Sequence, residues 1–438
     1  MATPLILLLA CTAPELVGME TGPEHQESLE DTGERPRQVV IIGGGPSGLM
    51  TALTMGEGTL LEAGPTLGGR AVGPGHSLYF GEGQDWEERT GAPPTEAAAR
   101  WLERLPSLRV ELDEIGVRFS PDQDVGLYRT ENALDALVRV HIDGVEVRVD
   151  TPALDILFEG GRVWGVQLAD EVLEATDVVI ATGGFVNRAE AVARFVSWPE
   201  GTWTHGPDAF AQGQALDWAD LHGWGLACAE CVGAFADGWG VPGEDGLALL
   251  REQRPVPWIV VDAQGQRLAD ETWRGMRLSG LAHRAGPSWA ITTRVAMEHE
   301  REGAPDEVLA ALICEDEVDT LALTLGTPSL TQTLDTVRDL RPEELDPVGR
   351  AGATMPDWSE APCAMPVGRI SSKNFGGLAV DLDGRVLDQD GAVVPGLWAV
   401  GEAAGMGVPG MGGAWGFDGS LSAVVWSGQR TAEAILGQ

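Results

Sequence analysis

The sequence predicts an α/β fold, and three patterns lead to that prediction. Residues 39–42 form a short apolar, β-branched run of the kind that builds buried parallel strands. A glycine-rich turn and a helical stretch over 46–55 follow, and a second strand over 59–61 completes a βαβ unit. Core-type strands return at 178–180 and 397–400, so both ends of the chain are expected to build one domain.

The remaining segments predict elements of both kinds. Residues 94–105 have helical periodicity, and 145–174 alternate in polarity around a Gly-Gly turn, which predicts β-hairpins that include the run 145–149. From about 206 the apolar spacing becomes helical and tryptophans gather, which indicates an inserted segment over 206–364. Residues 419–436 predict a closing helix.

The composition excludes some classes of function. Of 438 residues, 67 are Asp or Glu and 29 are Lys or Arg, a net charge of −38, so a nucleic-acid partner is not expected. Lys373 is the only lysine. No run of about 18 apolar residues exists, so no membrane-spanning helix is predicted.

The first residues resemble a bacterial lipoprotein leader. An apolar run from Leu5 to Ala10 ends at Cys11, and the stretch that follows to about Arg37 is acidic and poor in apolar residues. This predicts an exported protein of the cell envelope, attached to the membrane only through a lipidated Cys11. The run is short and no basic residue precedes it, so a cytoplasmic location stays open.

The five cysteines include one pair with redox or metal spacing, Cys228-Ala-Glu-Cys231. Neither a second pair nor a histidine cluster accompanies it, so no metal site is predicted. The favoured interpretation is two small buried thiols on one helix turn, and a local disulfide is the alternative for an exported protein.

The turn after the first strand carries the pattern GxGxxG. Gly43 permits the tight turn, Gly45 lets the backbone approach a pyrophosphate, and Gly48 lets helix and strand pack closely. Glu62 ends the second strand about 20 residues later, where a carboxylate accepts hydrogen bonds from a ribose. Together these features predict a dinucleotide site, with its phosphates at the helix N-terminus.

Further motifs make the chain resemble the FAD-binding flavoprotein family of fumarate reductase, succinate dehydrogenase and 3-ketosteroid dehydrogenase. They are VVIIGGGPSGLMTAL, LLEAGPTLGGRA, VVIATGGF, VVDAQGQRLADET and FGGLAVDLDGRVLDQDGAVVPGLWAVGEAAG. The resemblance covers about 38–438. It implies a Rossmann-like, glutathione-reductase-like FAD domain with an inserted α+β cap. The implied division is a leader and tether over 1–37, the first part of the FAD domain over 38–205, the cap over 206–364 and the second part over 365–438.

The resemblance also implies which residues bind FAD. The closing helix would point its N-terminus at the flavin ring. Some relatives attach FAD through a histidine where this chain has Arg70, so non-covalent FAD is expected. The implied cofactor-binding residues are Gly43, Gly45, Pro46, Ser47, Gly48, Glu62, Ala63, Gly69, Arg70, Ala181, Thr182, Gly183, Gly401, Glu402, Gly419, Ser420 and Leu421.

The family's catalytic side chains are missing at their late-chain positions. Fumarate reductases use histidines and arginines there and ketosteroid dehydrogenases use tyrosines, but no histidine follows His299 and no tyrosine follows Tyr128. Arg274 and Lys373 are the cations near the matching segments and are the candidate catalytic residues. Arg267 and Glu271 are expected to form a structural pair.

The resemblance implies hydride transfer between flavin N5 and a carbon next to a carbonyl, which makes or removes a C=C bond. The partners would be a small molecule with an activated C–C bond and an unidentified electron donor or acceptor. The missing residues keep a non-catalytic or electron-carrying flavin binder as the alternative. A thiol–disulfide flavoenzyme is disfavoured, because Cys228 and Cys231 fall within the inserted segment.

Overall fold

The computed structural model describes most of the chain from Arg37 onward. The described residues are 37–69, 77–81, 86, 93–121, 127–130, 135–139, 142, 144–195, 202–204, 212–235, 258–268, 270–271, 288–299, 312–352, 358, 360–366, 369–408 and 420–437.

Strands and helices alternate through the first third of the chain, and the middle is richer in short strands. The strands are β1 (Val39–Ile42), β2 (Gly58–Leu61), β3 (Ser77–Tyr79), β4 (Phe119–Pro121), β5 (Leu127–Thr130), β6 (Val145–Arg148), β7 (Asp155–Glu159), β8 (Arg162–Gln167), β9 (Val172–Glu174), β10 (Asp177–Ile180), β11 (Thr202–Thr204), β12 (Leu226–Ala227), β13 (Val232–Phe235), β14 (Ile259–Asp262), β15 (Ser288–Thr293), β16 (Ile313–Cys314), β17 (Pro362–Pro366), β18 (Arg369–Asn374), β19 (Gly377–Leu378), β20 (Arg385–Leu387) and β21 (Val393–Ala399). The helices are α1 (Pro46–Met55), α2 (Glu96–Glu114), α3 (Asp135–Arg139), α4 (Ala189–Phe195), α5 (Gln214–His222), α6 (Arg294–His299), α7 (Val318–Leu325), α8 (Leu330–Arg338) and α9 (Leu421–Leu436).

A six-stranded sheet of order β20-β21-β10-β1-β2-β6 joins the two ends of the chain. Strands β21, β10, β1, β2 and β6 run in parallel, and β20 pairs antiparallel at the edge. Val178 pairs with Val40 on one side and with Leu397 on the other. Every residue of β1 and β10 is buried, as expected for central parallel strands covered on both faces.

The run 145–149 was predicted to belong to a hairpin, and that prediction is wrong. Strand β6 pairs in parallel with β2, and the hairpins begin only at β7, in the small sheet β7-β8-β9. Burial in β6 does not follow the alternation, since Val147 is exposed and Arg148 is half-buried. Polarity alternation alone therefore reported neither the burial of this strand nor its direction.

Helix α1 has the bounds that the sequence predicts, and it packs tightly against the closing helix α9. The close approach occurs at Gly428, where a Cβ atom would collide with the carbonyl oxygen of Ser47. Thr51 Oγ1 donates a hydrogen bond to the Gly428 carbonyl over 3.3 Å. Helix α9 begins at Leu421, two residues later than predicted.

Helix α2 is longer than the predicted 94–105 and continues through Pro106 to Glu114. An apolar stripe at Trp101, Leu105, Leu108 and Leu112 keeps the helical spacing, and all four side chains are fully buried. Their burial outweighs the hydrogen bond that Pro106 cannot make.

The inserted segment contributes an antiparallel sheet of order β14-β15-β17-β16, covered by α7 and α8. A smaller sheet has the order β11-β18-β13. Its strand β18 lies within the predicted second part of the FAD domain, and its strand β13 lies within the predicted cap. Within the part of the chain that the structure describes, no helix combines the length and apolarity needed to cross a membrane.

Candidate cofactor-binding and active site

The glycine turn after β1 has the close contacts that its spacing predicts. Gly43 has φ +115°, a left-handed conformation, and a Cβ atom there would collide with the Ala181 carbonyl oxygen. A Cβ at Gly48 would collide with the Gly43 carbonyl oxygen. Gly45 differs, because no other atom lies within 4 Å of the place where its Cβ would be. The backbone at Gly45 therefore borders open space, where a ligand can approach.

The N-terminus of α1 faces that space without a side-chain cap. Gly45 is the N-cap residue, Pro46 opens the helix, and the first turn carries no acidic residue. Helix α2 provides the contrast, since Thr95 Oγ1 there accepts a hydrogen bond from Ala98 N–H. Free N–H groups at a helix N-terminus attract anions, so the start of α1 suits a phosphate group.

Glu62 lies beside this turn, at the end of β2. Its carboxylate accepts hydrogen bonds from Gly44 N–H and Gly64 N–H, both over 2.8 Å. Gly68 N–H donates to the Gly44 carbonyl over 2.8 Å, so the loop after β2 folds back onto the glycine turn. An ionised carboxylate has about four acceptor positions, and two of them are available for ribose hydroxyls.

The end of β10 supplies a buried polar atom that the described protein does not satisfy. Ala181 N–H continues the sheet by donating to the Ile42 carbonyl over 2.8 Å. Next to it, Thr182 Oγ1 is buried and has no hydrogen-bond partner among the described residues. Gly183 then turns the chain at φ +76°. A buried hydroxyl without a partner is costly, so Thr182 fits a site completed by a polar ligand.

Asn374 connects three parts of the site, and sequence reasoning missed it. Its backbone N–H donates to Glu402 Oε1 over 2.8 Å, and its side-chain amide donates to the carbonyls of Gly376 and Glu402. Its Oδ1 accepts a hydrogen bond from Phe185 N–H over 3.0 Å. The side chain is fully buried. Glu402, predicted to bind the cofactor, uses its carboxylate here to hold Asn374.

The N-terminus of α9, like that of α1, has no side-chain cap. Ser420 precedes the helix, makes no side-chain cap, and is followed by a first turn without acidic residues. Lys373 Nζ lies 3.2 Å from Ser420 Oγ, and 5.5 Å from the centre of the Phe375 ring. Leu78 on β3 forms a β-bridge with Ser420. The sole lysine therefore lies at the helix end that is predicted to meet the flavin ring.

The structure thus brings the predicted residues together in two groups. The first consists of the turn Gly43–Gly48 with Glu62 and Ala181, and the second of Lys373 with Ser420. Ala63 and Gly69 are exposed beside the first group, and Gly401 donates its N–H to Ser427 Oγ on α9 over 2.9 Å. Arg70, Arg274 and Gly419 lie outside the described residues.

The predicted pair of Arg267 and Glu271 is confirmed, within a larger buried network. Arg267 also contacts Asp346 over 2.7 Å, and Arg350 contacts Glu271 over 2.9 Å. Burial lowers the pKa of Arg350, and Glu271 offsets part of that effect. Burial also opposes the charge of Arg267, but Glu271 and Asp346 outweigh it and raise the pKa of Arg267. This network joins β14 to the loop before Arg350.

Cys228 and Cys231 were expected on one helix turn as thiols, and that expectation is wrong. They are disulfide-bonded in the turn between β12 and β13. Cys314 and Cys363 form a second disulfide across β16 and β17. The apolar spacing around Cys228 had suggested a helix, but α5 already ends at His222, before a glycine in the left-handed conformation.

A family model described as FAD binding domain matches residues 116–414. Over 61% of the chain, the sequence is 26% identical to the NADH:acrylate oxidoreductase of Vibrio harveyi, covering 28% of that protein. Over 64% of the chain, it is 30% identical to the 4-oxocyclohexanecarboxylate 2-dehydrogenase of Sinomonas cyclohexanicum, covering 55% of that protein. The chain thus spans little more than half, or less, of these relatives.

Solved structures share the fold at low sequence identity. The 3-ketosteroid-Δ4-(5α)-dehydrogenase of Rhodococcus jostii RHA1 superimposes with a TM-score of 0.70 and 18% identity, over 94% of this chain and 99% of that one. A flavocytochrome c3 fumarate reductase in its open conformation gives a TM-score of 0.60 and 19% identity, over 91% and 78% of the two chains.

Proposed function

This chain belongs to the FAD binding domain family, and we propose that it is an FAD-dependent oxidoreductase acting on an activated C–C bond. When bound, FAD supplies hydride transfer at its N5 atom, here to or from a carbon adjacent to a carbonyl. The observation that carries the proposal is the contact of Lys373 with Ser420 at the start of α9. It places a cation beside the uncapped N–H groups at the start of the closing helix.

The residues present fit FAD. The open space at Gly45 and the uncapped start of α1 suit the pyrophosphate, and Glu62 suits the adenosine ribose. The unsatisfied Thr182 hydroxyl suits a polar group of the extended cofactor. The start of α9 would stabilise negative charge on the ring, an effect of about 0.3–1 kcal/mol for an exposed helix end. With Arg70 at the attachment position, we expect the FAD to be non-covalent.

Lys373 would orient the substrate and hold a proton for it. An ammonium group can donate hydrogen bonds to a substrate carbonyl or carboxylate, and its pKa falls readily on burial. Ser420 Oγ and the Phe375 ring fix the direction of the Lys373 side chain. Asn374 holds the backbone next to Lys373 through Glu402. Arg274 is proposed as a second cation, on its place in the sequence alone.

The finer architecture proposed is a Rossmann-like FAD domain over 38–205 and 365–438, covered by an α+β cap over 206–364. The parallel order of the central sheet supports the first part, and the separate sheet of β14 to β17 supports the second. The substrate class proposed is a small α,β-unsaturated carbonyl or carboxylate, or its saturated counterpart. The names of the relatives, which act on acrylate and on a cyclic keto acid, support that class.

The test is a reaction of reduced protein with candidate acceptors. FAD-loaded protein would be reduced with light and a sacrificial donor under anaerobic conditions, and then mixed with acrylate, fumarate, 2-cyclohexenone or a 4-ene-3-ketosteroid. Reappearance of the oxidised flavin spectrum, with a stoichiometric amount of saturated product, is the expected result. A protein that binds FAD but leaves all these acceptors unreduced, and in its oxidised form dehydrogenates none of their saturated counterparts, would instead fit the non-catalytic flavin binder.

We also propose export to the cell envelope with a lipid on Cys11. Two disulfides support an oxidising compartment, because cytosolic proteins seldom keep them. Cys11 itself lies outside the described residues. Mass spectrometry of the mature N-terminus would test this proposal: a diacylglyceryl group on Cys11 is expected, and recovery of cytosolic protein with an intact Met1 would contradict it.

A further inference from the structure

The disulfide between Cys228 and Cys231 lies against the part of the chain that carries Lys373. A turn of the chain brings the two cysteines together, and Cys231 N–H donates to the Cys228 carbonyl over 2.8 Å. Strand β13 then continues from this turn and pairs with β18, where Val232 is opposite Asn374 and Gly233 is opposite Lys373. The cysteine turn is therefore the direct neighbour of the strand that holds the candidate catalytic lysine.

Two backbone contacts fix the cysteine turn to segment 373–377. Phe375 N–H donates to the Cys231 carbonyl over 2.7 Å. The Cys228 carbonyl packs so closely on Gly376 that a Cβ atom could not fit there. A movement of the backbone at either cysteine would therefore displace Phe375 or Gly376, and with them the hydrogen bonds of Asn374.

The backbone on both sides of segment 373–377 is strained. Cys228 has φ +47° and Met406 has φ +67°, a region that non-glycine side chains seldom adopt. Gly377 pairs with Ala404, two residues before Met406, so the segment lies between the two strained positions. Such strain persists only where surrounding contacts hold it, and it clusters at sites of function and switching.

The two sulfurs differ in access. Cys231 is 2% exposed and belongs to the apolar core with Phe375 and Met406. Cys228 is partly exposed. A thiolate from solvent can therefore attack Cys228. The buried Cys231 would be the leaving group and, in the reverse direction, the cysteine that resolves the mixed disulfide.

We propose that Cys228 and Cys231 form a redox-active pair, reducible by an external dithiol, whose state sets the position of Lys373. A donor thiolate would attack Sγ of Cys228 and form a mixed disulfide, which breaks the bond to Cys231 and releases its thiolate. The second thiol of the same donor would then attack the donor sulfur that is bound to Cys228. This step releases Cys228, and the donor leaves with its two sulfurs joined in a disulfide. The donor loses two electrons and two protons, and the two cysteines gain them as thiols.

The pair would thus couple the thiol–disulfide balance of the surroundings to the position of Lys373. Reduction removes the covalent link that holds the Cys228 carbonyl against Gly376, so the strained turn can relax and segment 373–377 can move. This redox response is separate from the proposed reaction. It can be measured without turnover, on the cysteines and the lysine themselves.

The test uses the second disulfide as a control within the same molecule. FAD-loaded protein at pH 7 would be treated with dihydrolipoic acid, quenched with N-ethylmaleimide at timed intervals, and analysed by peptide mass spectrometry. Cys228–Cys231 should be reduced at least about tenfold faster than Cys314–Cys363, because Cys228 lies in a strained left-handed turn whereas Cys314 and Cys363 pair in regular strands. In parallel, an amine-acetylating reagent would report on Lys373, the sole lysine. Its acetylation rate should change by at least about threefold on reduction, as for a pKa shift of half a unit.

Matched variants separate the two disulfides. C228S/C231S should abolish the response of Lys373 to the dithiol, and C314S/C363S should retain it. Equal reduction rates for the two disulfides would show that Cys228–Cys231 is only structural. An unchanged Lys373 rate in the reduced wild-type protein would overturn the coupling. A metal ion bound as isolated by Cys228, Glu230 and Cys231, whose ligand atoms all lie within 4.8 Å of one another, would overturn the redox assignment in favour of a metal site.

Discussion

Lys373 Nζ lies 3.2 Å from Oγ of Ser420, the residue that precedes the closing helix α9. Strand β18 and helix α9 are separated in sequence by β19, β20 and β21, so this contact joins distant parts of the chain at the candidate active site. A single lysine in a chain with 67 acidic residues is thereby fixed at one helix N-terminus. Two positive groups, the ammonium and the helix end, adjoin at this point.

Lys373→Met should slow the reoxidation of reduced protein by its acceptor at least about tenfold, the lower part of what acid–base groups contribute. Flavin content should not change, because the phosphate and ribose contacts lie elsewhere. Stopped-flow absorbance at the flavin band measures both. Lys373→Arg is the control, since it keeps the charge but not a proton that can be donated near neutral pH. Arg274→Gln should show a similar loss, because it removes a second cation that can anchor the substrate. Reoxidation of both the Met and Gln variants at the wild-type rate would place the active-site cations elsewhere.

Glu62→Ala should weaken FAD binding by about 1–3 kcal/mol, the usual loss for hydrogen bonds to a charged partner. The ribose contacts disappear, and Gly44 N–H and Gly64 N–H lose their acceptor. Titration of apoprotein with FAD, followed by quenching of flavin fluorescence, gives the dissociation constant. Glu57→Ala is the control, because Glu57 is an exposed acidic residue in the preceding turn. Equal affinities for the two variants would contradict the role of Glu62.

Gly45→Ala should weaken FAD binding and leave the stability of the fold unchanged, whereas Gly48→Ala should destabilise the fold itself. At Gly45 the added methyl group enters open space, so the fold should keep its stability while FAD affinity falls at least about tenfold, or 1.4 kcal/mol. At Gly48 the methyl group meets the Gly43 carbonyl oxygen, so the apoprotein itself should unfold at lower urea concentration. Urea unfolding of apoprotein and FAD titration separate the two. Retention of full FAD affinity in Gly45→Ala would show that the pyrophosphate does not approach this residue.

FAD should leave the protein without a covalent trace. Acid or heat treatment should release all of the yellow colour into the supernatant, because Arg70 cannot form the bond that a histidine makes in some relatives. Flavin fluorescence that stays with the polypeptide on a denaturing gel would contradict this expectation.

Glu271→Gln should destabilise the protein by about 3 kcal/mol or more, since it removes the carboxylate that pairs with two buried guanidinium groups, those of Arg267 and Arg350. The measurement is the urea midpoint followed by tryptophan fluorescence. Arg118→Gln is the control, because its pair with Asp113 is exposed and its loss should leave the midpoint unchanged. A Glu271→Gln midpoint equal to that of the control would show that Arg267 and Arg350 find other partners.

The sequence predicted those parts of the fold in which local chemistry and tertiary structure agree. The bounds of β1 and α1 follow from a β-branched run and a glycine turn, and both match the structure. Glu62 was singled out because a ribose carboxylate has a fixed place after the second strand, and its role in binding the ribose stays a prediction. Where packing decides, local patterns failed: the buried stripe of α2 carries the helix past Pro106.

The parts of the site that sequence reasoning missed depend on long-range contacts. Asn374 is one amide in a polar strand, and only its neighbours Phe185 and Glu402, both distant in sequence, reveal its role. The spacing of Cys228 and Cys231 was visible, but their place beside β18 depends on a strand pairing that no local pattern reports. Chain order alone had placed them in the inserted segment.

The pairing of β21 with β10 constrains how a ribosome can deliver this protein. Leu397 pairs with Val178, which leaves the ribosome before the inserted segment has been made. Until then β10 presents an open apolar edge, which is the kind of surface that pairs with other chains. The chain also loses loop-closure entropy before the last parallel contacts form and offset that loss. The central sheet is therefore completed only after the inserted segment has been made, and α9 can dock on α1 only after that.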